Sequence, residues 1–351
     1  MAITPKRMGV LYIRPSFFIF PILLMFRLMY FMWLYPLFFC FRKIISLQSS
    51  NGFINRFPII SADAILSIYF RYCGLSRSTF HLHNKQTTMY IWGAKNISSN
   101  KPNLVVVHGF GANSKWQFIL QISQLTRDFN VYMPDLIFFG DSYSSISDRS
   151  VKFQAECVCD GLKQMGLEKF SVYAISYGGF VAYRMAEVHE DMVEKLVIVS
   201  SAIVYTEDRK LEHIKKIGRN VLDLLVPKTP EDFRMLCQLT IQKVDLGKWI
   251  PDFFLWGLIA FENCKNEKEE LILELLNENP EVVHYPVLTQ ETLLIWGDKD
   301  GVFPIDFGHQ LHRHLGGKSK LEIIRNVGHA ANFEAPFSLN QLITSFVKAS
   351  S

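Results

Sequence analysis

The sequence predicts an α/β protein: a mostly parallel, doubly wound sheet of eight strands, with a helical cap inserted into it and an apolar segment in front of it. Three observations predict this. Short, strongly apolar runs alternate with helix-length segments from Leu104 onward, the pattern of strands buried on both faces. About ninety residues between Ser200 and Thr292 read as helical and interrupt that rhythm. Finally, Phe17 to Phe41 is almost entirely apolar or aromatic, unlike anything that follows.

Taken in order, the apolar stretch is long enough to cross the ~30 Å hydrocarbon layer and is expected to anchor the chain in a membrane. Arg27, Pro21 and Pro36 interrupt it, so an interfacial or re-entrant anchor stays open beside a clean span. Basic residues flank both sides (Lys6, Arg7 and Arg14; Arg42, Lys43 and Arg56), and charge bias assigns no orientation. A polar stretch, Ser46 to Asn55, leads to a short amphipathic helix, Ile59 to Tyr72. Thr79–His83 and Thr87–Trp92 are β-prone runs around Asn84-Lys85-Gln86, which predicts an antiparallel hairpin at the start of the sheet. The parallel strands are Leu104–Val107, Val131–Met133, Phe170–Ala174, Leu196–Val199, Thr292–Trp296 and Leu321–Ile324. Connecting helices are expected over Lys115–Thr126, Val151–Met165, Tyr177–His189, Asp306–His314 and Pro336–Lys348, with cap helices including Phe233–Leu246 and Glu267–Glu278. The division expected is 1–60 for anchor and linker, 61–201 and 289–351 for the two parts of the core, and 202–288 for the cap.

Composition narrows the function classes. The chain has 351 residues, 49% of them hydrophobic, enough for one substantial core. Its net charge is only +4 and its basic residues are scattered, so nucleic acid is not an expected partner. The six cysteines form no C-x-x-C pair and no Cys/His cluster, so no structural metal is expected and they read as free or buried thiols. His309, His312 and His314 read as the solvated end of a helix, because no acid or cysteine completes a ligand set. In the cap, Trp249, Phe253, Phe254, Trp256 and Phe261 are expected mainly to pack the cap onto the sheet, with an apolar pocket lining as the alternative for any one of them.

The residues that carry chemistry sit at predicted strand ends. Ala174-Ile175-Ser176-Tyr177-Gly178-Gly179 joins a strand to a helix and reads as a sharp turn that pushes the Ser176 hydroxyl outward; such a turn needs small residues two before and two after the serine. Ala174 and Gly178 meet that need, although glycine is the usual residue at the first of these positions. Upstream, His108-Gly109-Phe110-Gly111 opens a loop after a buried strand. With His108, Gly109 and Gly111 supporting the loop, the backbone amides of Phe110 and Tyr177 are the candidate donors for an oxyanion hole. Downstream, two aspartates compete on Gly297-Asp298-Lys299-Asp300; Asp300 is favoured because Asp298, next to the strand end, more often shapes the turn. His329, in Val327-Gly328-His329-Ala330 after the last strand, is the candidate base.

The order Ser176, Asp300, His329, each after a strand and with a donor loop upstream, resembles the α/β-hydrolase family from about Leu75 to the C-terminus. His108 to Asn113, Phe138-Phe139-Gly140-Asp141-Ser142 and Gly297 to Pro304 look like plant members related to meta-cleavage-product hydrolases and to membrane-anchored monoacylglycerol lipases. The resemblance implies a cap inserted after the sixth strand and a serine hydrolase needing no metal or organic cofactor. The expected activity is cleavage of a small, apolar, lipid-like carboxylic ester by a membrane-associated protein, on an endomembrane or the endoplasmic reticulum, or in the cytoplasm should the anchor be absent. Two other readings stay open: C–C bond hydrolysis of the meta-cleavage type, for which Arg184 stands too far along its helix to meet a carboxylate, and a ligand-sensing receptor on the same fold. Oligomeric state is not legible.

Overall fold

A computed structural model describes residues 52–278 and 285–349. The predicted anchor, Phe17 to Phe41, lies outside these residues. Among the described residues no helix is long and apolar enough to cross a membrane.

Helix α1 (Gly52–Tyr72) opens the described chain, starting seven residues before the predicted Ile59 and running through Pro58. Strands β1 (Leu75–Leu82) and β2 (Thr87–Ala94) form the expected antiparallel hairpin, turned by His83, Asn84 and Lys85, all at positive φ. There follow β3 (Asn103–Val107), α2 (Ser114–Phe118), α3 (Ile122–Asp128), β4 (Asn130–Asp135), the two-residue β5 (Tyr143–Ser144), α4 (Val151–Gln164), β6 (Phe170–Ile175), α5 (Tyr177–Val188) and β7 (Val193–Val199). The cap supplies α6 (Glu207–Ile217), α7 (Val221–Leu225), α8 (Pro230–Thr240), α9 (Leu246–Trp249), α10 (Asp252–Phe261) and α11 (Lys265–Asn277). The chain then returns to the sheet with β8 (Glu291–Gly297), α12 (Ile305–Leu315), β9 (Ser319–Ile324), α13 (Ala331–Glu334) and α14 (Pro336–Lys348).

The strand order is β1-β2-β4-β3-β6-β7-β8-β9, antiparallel through β2/β4 and parallel from β4/β3 onward. All eight predicted strands are present. A ninth, β5, pairs with β2 outside that order; on the eight-strand path the cap follows the sixth strand in the chain, as expected. Two residues carry too little periodicity to announce a strand.

Alternate residues of the central strands feed opposite cores, which is what winding helices over both faces requires. Val105, Val107, Val172, Ala174, Leu196 and Ile198 pack under α4 and α5. Leu104, Val106, Tyr173, Ile175, Val197 and Val199 pack against Phe118, Ile122, Leu339 and Ile343 on the other side.

The helix expected over Lys115–Thr126 is instead two, α2 and α3. At the break the buried Gln121 donates to Asn340 Oδ1 (2.7 Å) and accepts from the Tyr173 hydroxyl (3.0 Å). Both partners are distant in sequence, so the interruption is a tertiary demand that local pattern does not carry. The cap differs from expectation in its aromatics. Trp249, Phe253 and Trp256 are exposed rather than packed on the sheet, because the buried stripe of α10 is instead Leu255, Gly257 and Ile259.

Candidate active site

Ser176 sits where β6 gives way to α5, with φ 54° and ψ −124°. A non-glycine residue in that region carries about 1–3 kcal/mol of strain, held here by the surrounding structure. The Ser176 amide donates to Val199 O (2.9 Å), and its carbonyl accepts from the Gly179 amide (2.8 Å) and the Ser201 hydroxyl. The small neighbours are required by space. A Cβ on Gly178 would lie 2.5 Å from the His108 carbonyl oxygen and 2.7 Å from that of Val107, and one on Gly179 would strike the Ser201 side chain. Ala174 is buried in mid-sheet, paired with Val107 and Ile198 on the flanking strands, and its methyl is accommodated there.

The structure brings Ser176, His329 and Asp300 together from the ends of three strands. His329 Nε2 lies 2.9 Å from Ser176 Oγ, and His329 Nδ1 lies 3.0 and 3.1 Å from the two Asp300 oxygens. A carboxylate only accepts, so Nδ1 carries the proton and Nε2 is left to accept from the serine hydroxyl. Asp300 Oδ1 also accepts the amides of Val302 (2.9 Å) and Phe303 (2.8 Å), which fixes its orientation. Asp298 faces the other way. Its Oδ1 accepts the Asn326 amide at 2.6 Å and pins the loop after β9, on which His329 lies. Asp300 and His329 are buried and Ser176 is partly open, leaving the hydroxyl as the reachable member. A hydroxyl so placed can be deprotonated as it attacks a carbonyl carbon.

The loop His108 to Ala112 lies beside the serine: a Cβ on Gly109 would come within 3.1 Å of Ser176 Cβ. Neither the Phe110 nor the Tyr177 amide donates to a backbone carbonyl among the described residues, and Tyr177 is the first residue of α5, where helix amides are unpaired and the helix dipole is positive. His108 does not face the serine. It is fully buried, and its Nε2 accepts the Leu136 amide (3.0 Å), so its Nδ1 is the protonated nitrogen and donates to the Gly109 carbonyl (2.7 Å). Burial, the largest cause, pushes its pKa down to about 4, so His108 is a neutral brace between the ends of β3 and β4.

Several supporting residues carried no signal in the sequence. Gln117 grips the loop by receiving the Gly109 amide (2.8 Å) and donating to the carbonyls of Gly109 (3.0 Å) and Gly111 (2.7 Å). Glu262, in the cap, accepts the Ala112 amide (2.8 Å). Glu334 accepts the amides of Gln242 (2.9 Å), Lys243 (2.6 Å) and Gly328 (2.6 Å), tying the histidine loop to the cap. A lone Gln or Glu on a helix reads as solvated, and only its tertiary partners reveal the role. Among the described residues no group of three His, Cys, Asp or Glu side chains is placed to hold a metal. The helix end at His309 to His314 is not wholly solvated as expected. His312 bonds Ser319, and His314 Nε2 is buried, because β9 runs alongside. Arg184 pairs with Glu187 (2.5 Å) and covers the Tyr285 ring.

Residues 102–234 match the family model described as alpha/beta hydrolase fold. Monoacylglycerol lipase abhd6-A of Xenopus laevis is 26% identical over 275 residues, covering 74% of this chain and 79% of the relative. Monoacylglycerol lipase ABHD6 of Homo sapiens is 24% identical over 299 residues, covering 81% and 87%. Among solved structures, a membrane phospholipase A described as a bacterial virulence factor superposes with a TM-score of 0.68 at 23% identity, covering 88% of this chain and 97% of that one. A 2-hydroxy-6-oxo-6-phenylhexa-2,4-dienoate hydrolase from Rhodococcus gives 0.65 at 19% identity, covering 78% and 99%.

Proposed function

This chain belongs to the α/β-hydrolase fold family, and on that premise we propose that it is a serine hydrolase cleaving a carboxylic ester, lipid-like and apolar, through an acyl-enzyme. The observation that carries this reading is the line of hydrogen bonds from Ser176 through His329 to Asp300. His329 Nε2 takes the hydroxyl proton as Ser176 Oγ bonds to the ester carbon. The Phe110 and Tyr177 amides receive the charge that develops on the carbonyl oxygen. The C–O bond to the alcohol breaks, and the alcohol leaves with the proton from His329. Water, deprotonated by the same nitrogen, then attacks the acyl carbon, releasing the acid and restoring Ser176. Asp300 holds the imidazole in the required tautomer and balances its charge when protonated. No step calls for a cofactor.

The names of the monoacylglycerol lipase relatives support the ester class, and the exposed apolar surface supports work at a lipid surface. On α1, Ile60, Ile65, Ile68 and Tyr72 face outward, and α1 packs beside α10, whose Phe253 and Trp256 are also exposed. The helix begins eleven residues after Phe41, where the apolar stretch ends. Such a surface is expected to rest on lipid rather than water. The C–C hydrolase reading gains no residue here, since Arg184 is already engaged by Glu187 and Tyr285.

The test is labelling by a fluorophosphonate probe together with hydrolysis of 4-nitrophenyl esters of increasing acyl length. Wild type should be labelled and active, and Ser176→Ala should lose both, with at least a 10³-fold fall in rate. Equal labelling of the two proteins would overturn the assignment.

A further inference from the structure

The cap reaches each of the three loops that carry the proposed chemistry. His213 of α6 approaches the Val302 carbonyl on the Asp300 loop at 2.5 Å. The Thr240 carbonyl, at the end of α8, accepts the Ala330 amide beside His329 at 2.9 Å. Glu262, just after α10, accepts the Ala112 amide at 2.8 Å. The third contact differs in kind, because it lands on the loop whose own backbone would stabilise charge.

We propose that Glu262 is a positioning residue that holds the Phe110 amide in its oxyanion-binding orientation, so that the loop is correctly formed only while the cap is seated. This rests on reading the Phe110 amide as an oxyanion donor. The loop needs outside support. Gly111 and Ala112 are consecutive residues at positive φ (94° and 51°), and an alanine in the left-handed region carries a cost of about 1–2 kcal/mol. Gln117 braces the segment from the core side at Gly109 and Gly111; Glu262 takes the next amide from the cap side.

Glu262 is itself held in place. Its second oxygen pairs with the ammonium of Lys268, a lysine that is only 3% exposed. That ammonium also lies 4.8 Å over the Phe139 ring, and Phe139 packs edge-on against Phe110 and His108. A carboxylate fixed by a buried cation cannot swing into solvent, and its hydrogen bond to an amide is correspondingly firm. The cap thus meets the loop directly at the Ala112 amide and, through the core residue Phe139, indirectly beside the Phe110 ring.

The experiment compares Glu262→Ala and the double variants Glu262→Gln/Lys268→Met and Glu262→Ala/Lys268→Met with wild type on a short-chain 4-nitrophenyl ester. Glu262→Ala should lower kcat about tenfold with KM within twofold, less than the 10²–10³ lost when an oxyanion donor is removed outright, since the amide is displaced rather than deleted. Glu262→Gln keeps an oxygen for the Ala112 amide but turns its NH2 towards the Lys268 ammonium, so it is read in the Lys268→Met background, where it should recover most of kcat. Glu262→Ala/Lys268→Met leaves no unpaired buried charge, so it folds even if Glu262→Ala does not, and it should show the same loss in kcat. A kcat within twofold of wild type in Glu262→Ala/Lys268→Met, or an effect on KM alone, would overturn the proposal. Fluorophosphonate labelling of the same proteins separates the two ideas: an unlabelled wild type would sink the serine reading, whereas labelled proteins with unchanged kcat sink only the role of Glu262.

Discussion

The strand-built core and the helical cap are held by different forces. In the core, β4 and β6 are buried along their whole length, and the site residues stand at strand ends that packing fixes on both sides. In the cap, α6 buries none of its residues, and Trp249, Phe253 and Trp256 are exposed. A few side chains such as Leu255, Ile259 and Leu271 supply its apolar hold, and polar bonds onto the three loops supply the rest. Apolar packing is thus concentrated around the proposed reacting groups, whereas the cap depends more on polar bonds to the loops beneath it.

The largest expected effect tests the core. Asp300→Asn should lower kcat for ester hydrolysis about 10³- to 10⁴-fold, because an amide in that position no longer selects the Nδ1-protonated tautomer of His329; a loss under tenfold would remove Asp300 from the proposed triad. Next comes the elbow. Gly178→Ala places a methyl against two carbonyl oxygens that cannot yield and should cost about 3 kcal/mol of stability, read from chemical denaturation.

His108 gives the core a pH dependence of similar size. Its folded pKa of about 4 lies below its ordinary value of 6.5, so the unfolded chain binds the proton first. This group contributes no penalty above pH 6.5, destabilises progressively as pH falls towards 4, and reaches about 3 kcal/mol below that. Replacing it with the non-titrating His108→Gln should flatten the stability profile in that window; an unchanged slope would mean the imidazole is not held neutral. The smallest effect tests the cap. Trp249, 78% exposed, should change stability by less than about 0.5 kcal/mol when made alanine, while Leu255→Ala in the same cap should cost about 2–4 kcal/mol. Similar losses at both would erase the contrast between the cap's outer and inner faces.

Much of the fold was legible because buried parallel strands and surface helices leave strong local patterns: β3, β6, β7 and β8 read as apolar runs, α4, α5 and α14 as helices of nearly the right length. Of the candidate site, Ser176, Phe110, Tyr177, Asp300 and His329 were legible because each stands beside a strand end with a glycine close by, where chain direction must change. The split between α2 and α3 was not legible, since a buried Gln121 bonded to Asn340 and Tyr173 imposes it across more than fifty residues. The outward-facing cap aromatics were not legible either, because hydrophobicity does not say which side of a helix meets the sheet.

From the sequence alone came most of the order of strands and helices and the types of candidate reactive side chain, since both follow from local periodicity and from which residues can do a given chemistry. Only the tertiary structure decided that His108 is a neutral brace and that Gln117, Glu334 and Glu262 steady the loops. Each of these depends on partners far apart along the chain, and a side chain's role is set by the atoms that surround it after folding.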